Sequence, residues 1–545
     1  PASNKPKPTP SAPTPDVVIK NTTLAPGLQM DTWAAEPMLL NPVALAFDDR
    51  GRAFVAESFR RKSSVPDIRS YSSGDNNWIA STLALTSVED RIAFLKKTFP
   101  PNVGMKPTGK EIDHNRDGSF DWRDLEIEKD RVTVLTDTTG SGRADSALPL
   151  FSGFNSLADM IAAGVTVGDD GIRVICAPKV WHIDPTGNAK PIVDGLGVHI
   201  VYSGHDAHGL KTGPDGRIYF SVGDCGANIR TKEGTKIELL STGGVLRCWP
   251  DGSGLELVAK GLRNPDSLAF NELGDLFTGD NNADGGDKSR WIHVVPEADY
   301  GWRFHYQFVR EPKLGVWNTE GLWTPDSAKT APSILPPVVL IGHGPSGVAY
   351  YPGTGLPSQY DGHFFMCDFP GGVRAFRLNP SGASYTPELP QQILLDNSTK
   401  QMSGKIAWGG MYISDVAFAP NGGLYMTEWG HGFEKTNSGR IFRVHSPEVD
   451  QSALVRETAS ILANDFQHLD TDRLRNLLSH SDQRVRQKAQ FAIAKREDAL
   501  EILRPVFHDS SNPSHPSLAR YHAIWALGQI GRTAPSSVHP ILQDL

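Results

Sequence analysis

HGLKTGPDGRIYFSVGD, His208–Asp224, reads as one unit: a short apolar strand, a Pro-Asp-Gly turn, a second apolar strand and a closing acid. Two such strands around such a turn make a β-hairpin. The signature returns as NPVALAFDDRGRAFVAE (Asn41–Glu57), NPDSLAFNELGDLFTGD (Asn264–Asp280), PSGVAYYPGTGLPSQYDGHFFMCD (Pro345–Asp368) and ISDVAFAPNGGLYMTE (Ile413–Glu428). A weaker copy, GIRVICAPKVWHIDPTGNAK, covers Gly171–Lys190. The spacing leaves room for two further strands in each unit, and four-stranded sheets stacked around an axis make a propeller. Six copies predict an all-β six-bladed β-propeller over residues 17–446. The closing acids Glu57, Asp224, Asp280, Asp368 and Glu428 are expected to ring one mouth of its channel.

After Ser446 the period changes. Asp470–Arg496 carries apolar residues three and four apart, as an amphipathic helix does. Leu518–Arg532 repeats the theme, with Ala489, Phe491 and Ala492 corresponding to Ala523, Trp525 and Ala526. A small C-terminal α-helical, HEAT-like domain is expected over 447–545. Solenoids need about three repeats, so either the natural chain continues or these helices pack on the propeller. Residues 1–16, rich in proline, serine and lysine, read as a disordered tether without an apolar signal core. Such a tether fits an exported protein of the periplasm or cell surface.

The net charge is −8 and no long basic run occurs, which argues against a nucleic-acid partner. No apolar stretch approaches the 18 residues of a membrane span. The four cysteines, Cys176, Cys225, Cys248 and Cys367, form neither CxxC nor CxxCH, so no c-type haem or obvious zinc site is expected. One or two disulfides and four buried thiols both remain open.

A long insertion, roughly 60–170, contains DHNRDGSFDWRD. Asp113, Asn115, Asp117, Ser119, Asp121 and Asp124 fall at positions 1, 3, 5, 7, 9 and 12 of an EF-hand-like loop, with Gly118 at the sharp turn. Oxygen donors at that spacing wrap one hard cation, and calcium is expected; the other reading is a solvated acidic turn. Asp137–Asp145 looks like a degraded copy.

The densest polar sequence is Ser203–Ile229, followed by GLRNPDSLAF (Gly261–Phe270) and TGDNNADGGDKSRW (Thr278–Trp291). His205 precedes one strand and Asp224 ends the next, so a hairpin can join imidazole to carboxylate, the arrangement of a general base. A structural hydrogen bond is the alternative. HDAH also places His205, Asp206 and His208 where a transition metal could use them. His343, Glu428, Trp429 and His431 lie on loops of later blades.

From about Val17 to Val444 the chain resembles the soluble glucose/sorbosone dehydrogenase superfamily, and within it the membrane-bound dehydrogenases of planctomycetes. The resemblance is carried by GHDAHGLKTGPDGRIYFSVGD, VLRCWPDGSGLE, GLRNP, LFTGDNNADGGDKSRW and LPPVVLIGHGPSGVAYYPGTGLP. Those proteins commonly run propeller, HEAT-like repeats, then a cytochrome c domain. The resemblance implies an oxidoreductase acting on a sugar or related alcohol, with pyrroloquinoline quinone and calcium as cofactors and a quinone or cytochrome c electron acceptor. It implies that His205 takes the proton of the anomeric hydroxyl while Asp224 orients it. Arg263 and Asn264 would lie beside the quinone. Asp206, His208 and Trp429 are further candidate cofactor contacts, His208 being additional to the family's pattern. Asn282 and Ala283 would hold calcium, supported by Asp287, with Asp280, Asn281 and Asp284 adding oxygens. The family's cationic contacts to the quinone fall here on Pro370, Tyr412 and Ser414. A metal-dependent carbohydrate lyase or hydrolase, or a non-catalytic binding platform, are the competing functions.

Overall fold

The computed structural model describes residues 12–71, 78–101, 112–308, 315–323, 334–369, 371–388, 392–396, 411–430, 435, 437–507 and 517–544. Pro370 and His431 fall outside them, as do residues 1–11 of the proposed tether; a short helix begins at Pro15.

Six antiparallel sheets form the blades. Blade 1 is Pro42–Phe47, Ala53–Glu57, Asp130–Thr136 and Ser146–Phe154; blade 2 is Ala162–Gly168, Gly171–Cys176, Lys179–Ile183 and Ala189–Asp194. Blade 3 is Ala207–Thr212, Ile218–Val222, Gly243–Cys248 and Glu256–Leu262; blade 4 is Pro265–Phe270, Leu276–Asp280, Arg290–His293 and Val339–Leu340. Blade 5 is Pro345–Tyr350, His363–Asp368, Gly372–Ser381 and Gln392–Asp396. Blade 6 takes Ile413–Phe418, Leu424–Glu428 and Arg440–His445 from the end of the propeller and its outermost strand, Gln29–Ala35, from the beginning. That exchange closes the ring, and the six first strands pack against one another in cyclic order.

Each second strand lies between two others and under neighbouring blades. All five residues of Ala53–Glu57, Ile218–Val222, Leu276–Asp280 and Leu424–Glu428 are accordingly buried, which explains their unbroken apolar runs. The copy read at Gly171–Lys190 is the second and third strands of blade 2. Its first hairpin turns at Asp169-Asp170, which lacks the Pro/Asn-Gly signal. The stretch read as an insertion over 60–170 divides: residues 58–129 leave blade 1 between its second and third strands, and 130–154 are that blade's own outer strands.

All four cysteines are free and buried. No helix among the described residues is long and apolar enough to cross a membrane.

The C-terminal region holds several helices around one apolar core. Gln483–Ala494 packs on Leu518–Thr533 through the matched small residues Ala489, Ala492, Ala523 and Ala526, all buried. Gln483–Ala494, with the lysine that caps it, reaches a first-hairpin turn of every blade. Lys488 meets Asp49 of blade 1 at 2.6 Å, and Lys495 meets Asp169 of blade 2 at 2.7 Å. Gln490 donates to the Pro214 carbonyl (2.6 Å), Gln483 to that of Asn271 (3.0 Å) and Arg484 to that of Ala419 (2.7 Å), while Pro352 accepts from the Gln483 amide (2.7 Å). The helices therefore cover the turn face of the propeller. The closing acids lie at the opposite face.

Candidate active site

The closing acids do not form an open ring of charge. Glu57 meets Arg131 at 2.8 Å, Asp280 meets Arg290 at 2.5 Å, Asp368 meets Arg374 at 3.0 Å and Glu428 meets Arg440 at 2.9 Å. Each arginine comes from the third strand of the same blade, and Arg131, Arg290 and Arg440 are the direct register partners of their acids. Asp280 also accepts from the amides of Arg263 (2.9 Å) and Asn264 (2.8 Å), and Asp368 from those of His343 and Gly344. A buried carboxylate needs both a countercharge and hydrogen bonds, and these four acids use theirs to staple the blade. Burial still pushes Glu428 up to about 7.

Blade 3 departs from this pattern. Its second and third strands stop pairing at Val222 and Gly244, so no arginine is a register partner of Asp224. Asp224 instead accepts from His205 Nδ1 at 2.9 Å and from the Trp302 indole at 3.1 Å. Because a carboxylate only accepts, the His205 proton sits on Nδ1 and the lone pair on Nε2. Burial holds the imidazole below its usual pKa, helped by the positive field of Arg263 and opposed by Asp224, so it is neutral at pH 7. The carboxylate is fully sealed, whereas 7% of the His205 side chain stays exposed. The loop can come this close because Gly223 has no side chain; a Cβ there would lie 2.5 Å from the His205 carbonyl.

Around this pair, the Tyr202 ring centre lies 5.4 Å from that of His205. The buried Arg263 guanidinium lies 5.4 Å from the Tyr202 ring and 5.5 Å from the Trp302 ring. Arg263 donates to the Asn282 carbonyl and stands 3.4 Å from Asp284 and from Gln307 Oε1. The Asn264 side-chain oxygen is buried without a hydrogen-bond partner among the described residues.

The HDAH residues diverge. His208 Nε2 meets the Gly204 carbonyl at 2.9 Å and Asp266 at 3.4 Å, and burial pulls its pKa down to about 4. The Asp206 carboxylate is buried, and burial pushes this acid up to about 7. Among the described residues no group of three or more His, Cys, Asp or Glu side chains is set to hold a metal. Trp429 is buried on blade 6, with the Arg61 guanidinium 5.3 Å from its ring.

In the loop after blade 4's second strand, Asp280 meets Arg290 and accepts from two amides. Asp287 accepts from the amides of Ala283 (2.9 Å) and Gly285 (3.3 Å), and its carbonyl accepts from the Asn282 side chain (3.1 Å). The Asn282 carbonyl is the group that receives Arg263. Asp284, at φ 60° and with 48% of its side chain exposed, faces outward. In the 113–124 loop, Asp113 accepts from the amides of Asp117 and Gly118, and Asp124 from those of Asn115 and Asp121. The Ser119 hydroxyl donates to Asp117. Arg123 holds Asp117 at 2.9 Å and Asp121 at 2.5 Å, so the loop carries its own cation.

Residues 14–432 match the family described as a domain of unknown function, DUF7133. The chain belongs to that family. No curated protein matches it. Its fold is similar to the holo PQQ domain of pyranose dehydrogenase from Coprinopsis cinerea (12% identity, TM-score 0.45, 78% of this chain and 97% of that one). It is also similar to the PQQ-bound aldose sugar dehydrogenase of Streptomyces coelicolor (16%, 0.40, 78% and 99%) and to the apo form of the soluble aldose sugar dehydrogenase of Escherichia coli (14%, 0.40, 77% and 99%).

In this DUF7133 chain, sequence reasoning missed Trp302, which fixes Asp224, and Tyr202, which joins His205 to Arg263. The aromatic density of YGWRFHYQF (Tyr300–Phe308) is the one signal that pointed to the first.

Proposed function

We propose that this chain is an oxidoreductase of the dehydrogenase type that acts on a sugar or related alcohol, with His205 as its base. The observation that carries this reading is the exchange at Asp224: where the other blades with a closing acid neutralise it with arginine, blade 3 spends it on an imidazole whose other nitrogen is left basic. In the reaction, the hydroxyl proton passes to His205 Nε2 and the adjacent C–H leaves as hydride. Asp224 stabilises the imidazolium so formed, and Trp302 keeps the carboxylate aimed. Arg263, buried beside the pair, favours negative charge developing next to it. Pyrroloquinoline quinone, when bound, would supply the hydride acceptor. Arg263 and the partnerless Asn264 oxygen fit such a group and would hold it, with the Asn282–Asp287 loop offering oxygens to calcium. A quinone or a cytochrome c would take the electrons onward.

Dye-linked oxidation of a sugar panel, after addition of quinone and calcium, tests the reading. Turnover that disappears in His205→Gln while the fold persists supports it. New unsaturated or reducing ends without any electron acceptor would replace it with a lyase or hydrolase.

A further inference from the structure

Neither Tyr412 nor Ser414 can offer charge to a ligand: the first is a fully buried phenol and the second donates to the Pro42 carbonyl at 2.8 Å. The structure brings cations to the mouth from a different direction. The excursion from blade 1 returns beside the His205 loop, where the Ile68 amide donates to the Val201 carbonyl (3.0 Å) and Asp67 accepts from the Ser203 amide (3.2 Å). Asp67, itself nearly sealed, grips the Nε and Nη2 edge of Arg69 at 3.0 and 2.5 Å. That grip sets the Arg69 guanidinium 4.6 Å from the Tyr202 ring, the ring that also carries Arg263 and meets His205. Arg263 is interior, whereas 45% of the Arg69 side chain is exposed, so Arg69 is the cation at the entrance. Arg61, on the same excursion, stacks on Trp429. A guanidinium held by a buried carboxylate and an aromatic face is preorganised, and a planar fork suits a carboxylate better than a point charge would.

We propose that Arg69 makes the His205 mouth selective for a ligand that carries a carboxylate. The proposal rests on the functional reading above only in placing the ligand at His205. A carboxylated quinone and an acidic sugar share this chemistry, and the test separates them.

Tryptophan fluorescence of the full chain at low salt is titrated with pyrroloquinoline quinone plus calcium, with glucuronate and with glucose. Wild type, Arg69→Gln and Arg69→Lys are compared after matching their thermal melts. The expected result is carboxylate binding weakened about tenfold in Arg69→Gln, partly restored in Arg69→Lys, with glucose unaffected. Weakening confined to the quinone assigns Arg69 to the cofactor, and weakening confined to glucuronate assigns it to the substrate; either supports the proposal. Equal carboxylate binding by wild type and Arg69→Gln overturns it, as does a wild type that binds no carboxylated ligand. Arg69-dependent binding without any dehydrogenase turnover would leave this proposal standing and remove the functional reading instead.

Discussion

Asp224 and Asp280 close equivalent hairpins in adjacent blades, yet Asp280 faces Arg290 at 2.5 Å while Asp224 faces His205 at 2.9 Å. One repeat position thus supports two chemistries. An arginine opposite the acid yields an ion pair within the blade. Without one, the acid is left to accept from the His205 imidazole and fix its orientation.

That difference predicts opposite consequences for two identical substitutions. Asp224→Asn is expected to lower kcat by about 10²- to 10⁴-fold, the range for a disabled general base, with little change in melting temperature. Asp280→Asn leaves Arg290 buried and unpaired, and is expected to cost about 3–5 kcal/mol of stability. Paired thermal melts and steady-state assays check both.

The pH profile follows from the lowered His205 pKa. With His205 as the proposed base, the active form would be neutral imidazole, so kcat/KM should fall as pH drops through a value below 6.5 and stay flat through neutrality. Asp224 pulls that pKa up while Arg69 and Arg263 push it down. Arg69→Gln should therefore move the acid limb to higher pH. A profile with its limb above 6.5 in the wild type would contradict the assignment.

The helix on the turn face should behave as a clamp. Asp482 caps it at the Arg484 amide (2.9 Å), bonds Thr354 of blade 5 and is fully buried. Asp482→Ala is expected to cost about 1–2 kcal/mol for the lost cap alone. Hydrogen exchange should quicken at the Pro214 and Asn271 turns, with the His205 loop unchanged.

For the 113–124 loop, Arg123 is the countercharge that a bound calcium would displace. Arg123→Gln should tighten calcium binding measured by calorimetry, and the melting temperature should rise with calcium as ligand linkage requires. Asp113→Ala should abolish that rise.

The blade repeat is legible in the chain because its causes are local. Alternation, turn residues and the sealed second strand are written within about 17 consecutive residues, as in His208–Asp224. Blade 2 is the weak copy because its second strand closes on Cys176 rather than on an acid, although its first hairpin turns on Asp169-Asp170 beside Gly171. The His205–Asp224 pairing is legible for the same reason, since both residues flank one hairpin.

What surrounds that pair is not. Whether a closing acid is a staple or an orienting group depends on whether the third strand brings an arginine to it, as Arg290 comes to Asp280, and register is settled only when the sheet forms. Trp302 reaches Asp224 from the neighbouring blade, and Arg69 reaches Tyr202 from an excursion whose path no periodicity describes. The chain alone therefore specifies six blades and a candidate base. Tertiary packing decides which carboxylates are neutralised and which cations stand at the mouth, because burial and charge compensation are properties of segments brought together from far apart in sequence.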